Sequence, residues 1–341
     1  MTDAKNRRII LVSRPHGEPA PENFKLAEAP IPAIGPGQIL LKTKLLSLDP
    51  YMRGRISDAK SYAPPFAIGE PLGGQTVSEV IASNNPEFAV GDVALAFGGW
   101  QDYSVSSGGD LQKLDPGAAP LSTALGVLGM PGMTAYTGLK NIGLPKPAET
   151  LAVAAAAGPV GSAVGQIAKI RGCRVVGIAG GRKKTSYLID ELGFDASIDH
   201  RSPNMREELK AACPNGIDIY FETVGGAVWD AVLPLLNNFA RVPVCGLVAN
   251  YNATALPEGP DRTATLMRTI LTKRLRVQGF IVYDFAEQMR DFLREVGSWV
   301  REGKLKYKED IVEGLENAPQ AFIGLLRGAN FGKLLVKVSD Y

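Results

Sequence analysis

The sequence predicts an α/β protein of two domains: a β-barrel-type domain of short strands and a doubly wound domain with a parallel sheet. Its 341 residues exceed one ordinary hydrophobic core. Residues 1–123 are rich in Pro and Gly and contain short β-type runs, which favours an antiparallel or barrel-like arrangement. Residues 124–298 alternate strand-like and helix-like segments, which predicts right-handed βαβ units.

The elements follow in order. The first region has β-type runs at 8–12, 38–46, 76–82, 93–97 and 100–105, and the second has them at 150–154, 174–178, 196–199, 217–222, 240–244 and 276–280. Helices are predicted over 285–302 and 317–327, and a last strand over 332–338. That strand has no βα partner, so we expect it to return to the first domain. The predicted domains are therefore 1–123 with 299–341, and 124–298.

Charge and cysteine content exclude several classes of protein. The chain has 37 basic and 35 acidic residues, a net charge of +2, which gives no support for a nucleic-acid or membrane partner. Its three cysteines form no disulfide framework, and residues 1–14 lack a signal-peptide core. The small apolar stretch 151–167 has a Gly-Pro turn in its middle, which argues against a membrane span. We expect a cytoplasmic protein.

The strongest local motif is a glycine loop that follows an apolar run and opens a helix. Gly158 lets the backbone approach a pyrophosphate, while Gly161 and Gly165 let the helix pack tightly on the sheet. Ala156 replaces the first glycine of the usual G-x-G-x-x-G pattern. Helix packing by small residues would also explain such a motif, but the strand–turn–helix context favours dinucleotide binding.

The end of the next predicted strand indicates which dinucleotide is bound. An NAD site places Asp or Glu about 20 residues after the loop to hold the ribose 2′-hydroxyl. This chain has Gly180 and Gly181 there, followed by Arg182, Lys183 and Lys184. The cations can neutralise a 2′-phosphate, although a solvated basic helix start is the alternative. We predict NADPH.

Metal ligands and a serine nucleophile are missing from the sequence. It holds two histidines, His16 and His200, no Cys-x-x-Cys pair, and no cysteine in the first 123 residues. A catalytic zinc needs three protein ligands, so we expect no metal and disfavour an alcohol dehydrogenase. The absence of a Gly-x-Ser-x-Gly elbow argues against a Ser-His-Asp hydrolase.

Several motifs carry a family resemblance. They lie in the glycine loop and at 48–53, 129–136, 221–226, 243–252, 278–282, 316–319 and 330–333. Together they resemble the zinc-free medium-chain dehydrogenase/reductases, in the prostaglandin reductase and alkenal double-bond reductase branch, and the details are similar to bacterial curcumin reductase-like proteins. Zinc-dependent relatives have Gly-His-Glu where this chain reads Pro-Leu-Gly-Gly-Gln at 71–75.

The resemblance implies a GroES-like first domain, a Rossmann second domain, a homodimer and NADPH-dependent reduction of the carbon–carbon double bond of α,β-unsaturated aldehydes or ketones. The cofactor-binding residues that it implies are Gly158, Pro159, Val160, Gly161, Gly180, Lys184, His200, Thr223, Cys245, Gly246, Tyr251, Phe280, Ile281, Val282 and Asn330. His200 replaces a frequent tyrosine, and Thr223 replaces a frequent asparagine.

The mechanism that the resemblance implies needs a donor to the substrate carbonyl oxygen, where charge builds as an enolate. Tyr251 is the candidate by family position, and Tyr51 is the second candidate. Lining of the cleft between the domains is the alternative for both tyrosines. Two other functions stay open at this point: an NADPH quinone reductase and a non-catalytic NADPH-binding protein.

Overall fold

The computed structural model describes residues 5–256 and 258–340. They form two compact units: unit 1 comprises 5–125 and 309–340, and unit 2 comprises 126–308. In the described residues, we find no helix with the length and apolar character that a membrane crossing requires.

The elements are as follows. The strands are β1 (Lys5–Leu11), β2 (Phe24–Pro30), β3 (Ile39–Ser47), β4 (Thr76–Ser83), β5 (Val93–Ala96), β6 (Tyr103–Ser106), β7 (Gln112–Leu114), β8 (Thr150–Val153), β9 (Arg174–Ala179), β10 (Ala196–Asp199), β11 (Ile217–Phe221), β12 (Leu236–Val244), β13 (Arg276–Gly279), β14 (Glu309–Glu313) and β15 (Lys333–Lys337). The α-helices are α1 (Met52–Arg55), α2 (Met130–Gly138), α3 (Pro159–Ile170), α4 (Arg182–Asp190), α5 (Met205–Ala212), α6 (Gly226–Val232), α7 (Thr263–Lys273), α8 (Met289–Arg301) and α9 (Ala318–Leu326).

Unit 2 contains the predicted parallel sheet. Its strand order is β10-β9-β8-β11-β12-β13, and every neighbouring pair is parallel. The chain passes from β8 outward to β10 on one side of the sheet, and from β11 outward to β13 on the other side. The crevice at the carboxyl ends of these two strands is therefore the topological switch point, where doubly wound folds bind their ligands.

Burial explains why the sequence of unit 2 forms a parallel sheet. All four residues of β8 are buried, as are five of the six in β9, because helices cover both faces of such a sheet. Helix α3 packs closely on it, and a side chain at Gly165 would overlap the ring of Phe194. The sheet and its helices are thus held at a spacing that needs small residues.

Unit 1 holds β1 and β2 as an antiparallel pair and a seven-stranded sheet ordered β14-β15-β3-β4-β5-β7, with β6 beside β3. The last strand, β15, pairs antiparallel with β3, so the prediction that the chain returns to the first unit is confirmed. The unit's core includes Phe24, Trp100 and Phe322, with ring centroids 5.8–6.4 Å apart.

The structure departs from the sequence prediction in several elements. The second change of unit falls after residue 308, not 298, because Gln166 exchanges two 2.8 Å hydrogen bonds with the backbone of Lys306 and Phe292 of α8 packs on Tyr136. The last helix of unit 2 begins at Met289, since the non-helical backbone of Phe285 interrupts the predicted start. Strands β2, β7 and β14 were not predicted, and β6 begins three residues later than expected.

Candidate active site

The glycine loop lies between β8 and α3, at the carboxyl edge of the unit 2 sheet. Gly158 is the N-cap of α3, with Pro159 at its first position, and both are partly exposed, as is Val160. A Cβ at Gly161 would lie 2.5 Å from the carbonyl oxygen of Ala155, so only glycine lets the helix start this close to the loop. Ala155 itself adopts a left-handed φ of +46°, a strained backbone of the kind that concentrates at ligand loops.

The residues after β9 form a second part of the same edge. Gly180 follows the strand, and Gly181, with φ +84°, is the N-cap of α4. A Cβ at Gly180 would lie 2.7 Å from Nε2 of His200, so His200 packs directly over this glycine. Partial burial, and then the charge of Arg201, lower the pKa of His200, and Lys184 also contributes to this shift. Cationic groups therefore converge at the end of β9.

Thr223 lies in the loop after β11. Its hydroxyl donates to the carbonyl oxygen of Ala154, 3.0 Å away, and so ties this loop to the glycine loop. Glu222 stabilises this turn, because its Oε1 accepts hydrogen bonds from the amides of Val224 and Gly225 at 2.7 and 2.8 Å. Burial raises the pKa of Glu222 although these amides oppose the shift.

The loop after β12 carries three predicted residues. The amide of Cys245 donates to the carbonyl oxygen of Glu222 over 3.0 Å, and the half-buried thiol of Cys245 has a pKa raised to about 12, mainly by burial. A Cβ at Gly246 would lie 3.3 Å from the hydroxyl oxygen of Tyr251. The loop therefore folds back so that the phenol of Tyr251 covers Gly246 beside Thr223.

The segment 280–282 borders the end of β13. The Phe280 ring is buried and packs edge-to-face on Phe221, with centroids 6.2 Å apart. The amide of Phe280 donates to Val244 O at 3.2 Å, and that of Ile281 to Asp284 Oδ2 at 2.9 Å. Val282 begins a short 3₁₀ helix. A ligand that used either of these two amides would have to displace an existing bond.

Unit 1 contains the other two predicted residues, Tyr51 and Asn330. Tyr51 is the N-cap of α1 and packs on the core of the unit, and the side-chain amide Nδ2 of Asn330 donates to Gly332 O at 2.8 Å. Buried Lys333 joins their two segments: its ammonium donates to Leu48 O at 2.9 Å and to Asp49 Oδ1 at 2.6 Å. The two segments are therefore neighbours in one unit.

The acidic groups at the carboxyl edge of unit 2 are poorly suited to acid–base catalysis. Burial raises the pKa of Cys245 to about 12, so this thiol stays protonated at neutral pH. Cys173 and Cys213, whose pKa values burial raises to about 11, precede β9 and β11 and lie at the opposite edge of the sheet. The carboxylate of Glu222 is occupied by backbone amides. The phenol of Tyr251 lies at the carboxyl edge, over Gly246.

No group of three or more His, Cys, Asp or Glu side chains within 5–256 and 258–340 could hold a metal ion. The residues of unit 2 fit a dinucleotide instead. Gly158 and Gly161 leave space over the loop that side chains at these positions would take up. This space lies at the start of α3, where the amides of a helix N-terminus favour a pyrophosphate. The cations at the end of β9 suit a further phosphate.

Sequence reasoning missed three residues that shape these loops: Asp199, Glu222 and Lys333. Asp199 is the last residue of β10 and Glu222 follows the apolar strand β11, and an acidic residue at the end of a strand is a usable sequence signal. Lys333 belongs to a motif that the resemblance includes, but its partner Asp49 is 284 residues away in sequence. No local pattern indicates that contact.

Comparisons with known proteins agree with this geometry. Residues 7–114 match the family described as the N-terminal domain of oxidoreductase, and residues 159–298 match the family described as zinc-binding dehydrogenase. The NADPH-dependent curcumin reductase of Escherichia coli (strain K12) is 58% identical over 98% of this chain and 97% of its own. Prostaglandin reductase 1 of Oryctolagus cuniculus is 42% identical over 93% of this chain and 89% of its own.

A solved structure gives the same result. The crystal structure of CurA in complex with NADPH from Vibrio vulnificus is 54% identical, covers 98% of this chain and 100% of its own, and superposes with a TM-score of 0.96. The chain is therefore an oxidoreductase that belongs to the medium-chain dehydrogenase/reductases, in the branch of the curcumin and prostaglandin reductases.

Proposed function

We propose that this chain is an NADPH-dependent reductase of the carbon–carbon double bond of α,β-unsaturated ketones and aldehydes. The observation that carries the proposal is the Tyr251 hydroxyl over Gly246, at the sheet edge that also holds the glycine loop and the cations near Lys184. The named cofactor and reactions of the relatives support it.

NADPH, when bound, supplies a hydride to the β-carbon of the substrate. The protein's part is then to bind the cofactor, to orient the substrate and to stabilise the negative charge that builds on the carbonyl oxygen. A proton from solvent or from a tyrosine then reaches the α-carbon and gives the saturated product. We assign the stabilisation of the charge to the phenol of Tyr251, because its hydroxyl lies over Gly246 at this edge, a thiol such as that of Cys245 is only a weak donor, and Glu222 accepts from backbone amides. One donor of this type lowers the activation free energy by about 3–4 kcal/mol. Tyr51 of unit 1 is the second candidate.

Tyr251→Phe tests the assignment. It should lower kcat on an enone by about 100- to 1000-fold, since one oxyanion donor is lost, while the Kd for NADPH stays the same. NADPH oxidation followed by absorbance, together with cofactor titration, measures both. Tyr51→Phe is the matched variant in unit 1. An unchanged kcat in Tyr251→Phe removes that residue from the mechanism, and a loss confined to Tyr51→Phe transfers the function to unit 1.

The substrate class is tested on the wild-type protein with a short alkenal, a bulky dienone and a quinone. Turnover of the alkenal or dienone with saturation of the double bond in the product supports the proposal. Turnover of the quinone alone makes the protein a quinone reductase. Tight NADPH binding without turnover of any of them makes it a binding protein.

We also propose a homodimer that works in the cytoplasm. On α7, Met267 and Leu271 lie four residues apart on one helix face and are 59% and 75% exposed, and β13 is an edge strand. Such an apolar face supports association with a second copy. Met267→Glu with Leu271→Glu should halve the mass measured by light scattering, whereas Val90→Glu, at a 67% exposed position in unit 1, should not. Three unpaired cysteines support the reducing compartment.

A further inference from the structure

Arg201 follows β10 in the chain, and its side chain lies against Gly180 at the end of β9. No sequence motif assigns it a function. Strands β9 and β10 are parallel, and their register pairs Ala179 with Asp199. The residues that follow these two strands therefore leave the sheet side by side. The amide of His200 donates to the carbonyl oxygen of Ala179 at 3.0 Å, which holds the turn after β10 against Gly180.

Asp199 fixes the direction in which Arg201 leaves the strand. Its Oδ1 accepts from the amide of Gly181 at 3.0 Å and from the amide of Arg201 at 2.9 Å. These two bonds hold the pKa of Asp199 below its usual range. The carboxylate thus accepts hydrogen bonds from the backbone after β9 and from the backbone after β10. These bonds fix the main chain from which the side chain of Arg201 extends.

The missing side chain of Gly180 makes room for the turn. A Cβ there would lie 2.7 Å from Nε2 of His200 and 3.1 Å from Nε of Arg201. A Cβ at Gly181 would lie 3.5 Å from a terminal nitrogen of Arg201. The place where an NAD-dependent enzyme keeps its ribose-binding carboxylate is therefore occupied by an imidazole and a guanidinium.

We propose that Arg201 determines the cofactor preference: its guanidinium binds the 2′-phosphate of NADPH, and with His200 it leaves no room for an acidic side chain at position 180. This inference rests on the cofactor named in the proposed function. A guanidinium forms paired, charge-assisted hydrogen bonds with phosphate, which suits this position better than a point charge does. The charges of both Arg201 and Lys184 act on His200, so the three groups share one neighbourhood.

The first experiment measures cofactor binding without substrate. Fluorescence titrations of the apo protein with NADPH, NADH, adenosine 2′,5′-bisphosphate and AMP compare wild type with Arg201→Ala and Arg201→Lys. Arg201→Ala should weaken NADPH and the bisphosphate by about 10- to 100-fold and leave NADH and AMP unchanged, because one charge-assisted contact is lost. Arg201→Lys should recover part of the loss. Arg206→Ala, an exposed cation on α5, is the matched control and should change nothing. An unchanged Kd for NADPH, or an equal loss for NADH, overturns the proposal.

The second experiment tests the room at position 180. Gly180→Asp should weaken NADPH without improving NADH, since the carboxylate has no space beside His200 and Arg201. Gly180→Asp combined with His200→Ala and Arg201→Ala should bind NADH at least about 10-fold more tightly than Gly180→Asp alone, as expected for a restored ribose contact. Tighter NADH binding by the single variant contradicts the proposal. Because no enone is present, failure of the proposed reaction leaves these results intact, and enone turnover with unchanged binding in Arg201→Ala refutes only this inference.

Discussion

Two buried carboxyl groups, Asp49 in unit 1 and Glu222 in unit 2, stabilise the loops that carry the predicted site residues, but by different means. Asp49 is neutralised by the ammonium of Lys333 at 2.6 Å and also accepts the hydroxyl of Ser47. Glu222 is held by the amides two and three residues further along and by the hydroxyl of Tyr220 at 3.2 Å. The loop in unit 2 is therefore fixed locally, whereas the loop in unit 1 depends on a residue far away in sequence.

The difference has energetic consequences. An ion pair with side chains only 3% and 5% exposed becomes costly when one partner is removed, since the other charge stays buried. A carboxyl group held by backbone amides has no such partner to lose. Its contribution to the free energy of unfolding depends on pH instead, because burial disfavours the ionised form of the carboxyl group.

The largest effect is expected from Lys333→Met, which leaves Asp49 buried without its cation. We expect a loss of about 3–5 kcal/mol in the free energy of unfolding, measured with urea. Lys337→Met on the same strand is the control, because that ammonium pairs at the surface with Asp340 and Glu313 and should cost at most about 1 kcal/mol. Lys333→Met with Asp49→Leu should recover most of the loss. Equal losses in the two single lysine variants would contradict a special role for the buried pair.

An intermediate loss of stability is expected in unit 2 from Gly161→Ala. This substitution disturbs backbone packing, whereas Lys333→Met removes a charge. The new Cβ would lie 2.5 Å from Ala155 O, so the start of α3 must shift, at a cost of about 1–3 kcal/mol, and NADPH binding should weaken with it. Gly279→Ala is the matched control, since nothing lies within 4 Å of a Cβ there. Thermal unfolding and cofactor titration measure both. The same response from both variants would show that close approach at Gly161 is unimportant.

The smallest effect is the pH dependence of Glu222. Because its folded-state pKa is raised, the folded protein holds this proton more tightly than the unfolded chain does. Wild type should therefore lose stability relative to Glu222→Gln as the pH rises from about 4.5 through the folded-state pKa, and the difference should be constant above it. Urea unfolding across pH 4–8 measures the difference. A stability difference that does not change with pH would show that the pKa of Glu222 is the same in the folded and unfolded states.

The sequence predicted what depends on local patterns. Alternation of apolar and helical segments indicated the parallel sheet, and the Gly158–Gly161 spacing located the loop at its carboxyl edge. The absence of an acid at Gly180 indicated NADPH. The short strands β7 and β14 escaped because three to five residues of mixed character give no clear period.

The sequence by itself therefore determined the two-unit α/β fold and the dinucleotide loop, because each depends on residues close together in the chain, whereas the tyrosine candidates came from the family resemblance. Only the tertiary structure decided that Arg201 lies over Gly180, since the register of β9 and β10 sets that contact. Only it joined Lys333 to Asp49 across 284 residues. Both contacts arise from strand pairing, whose register is fixed by the packing of whole sheets and not by local propensity.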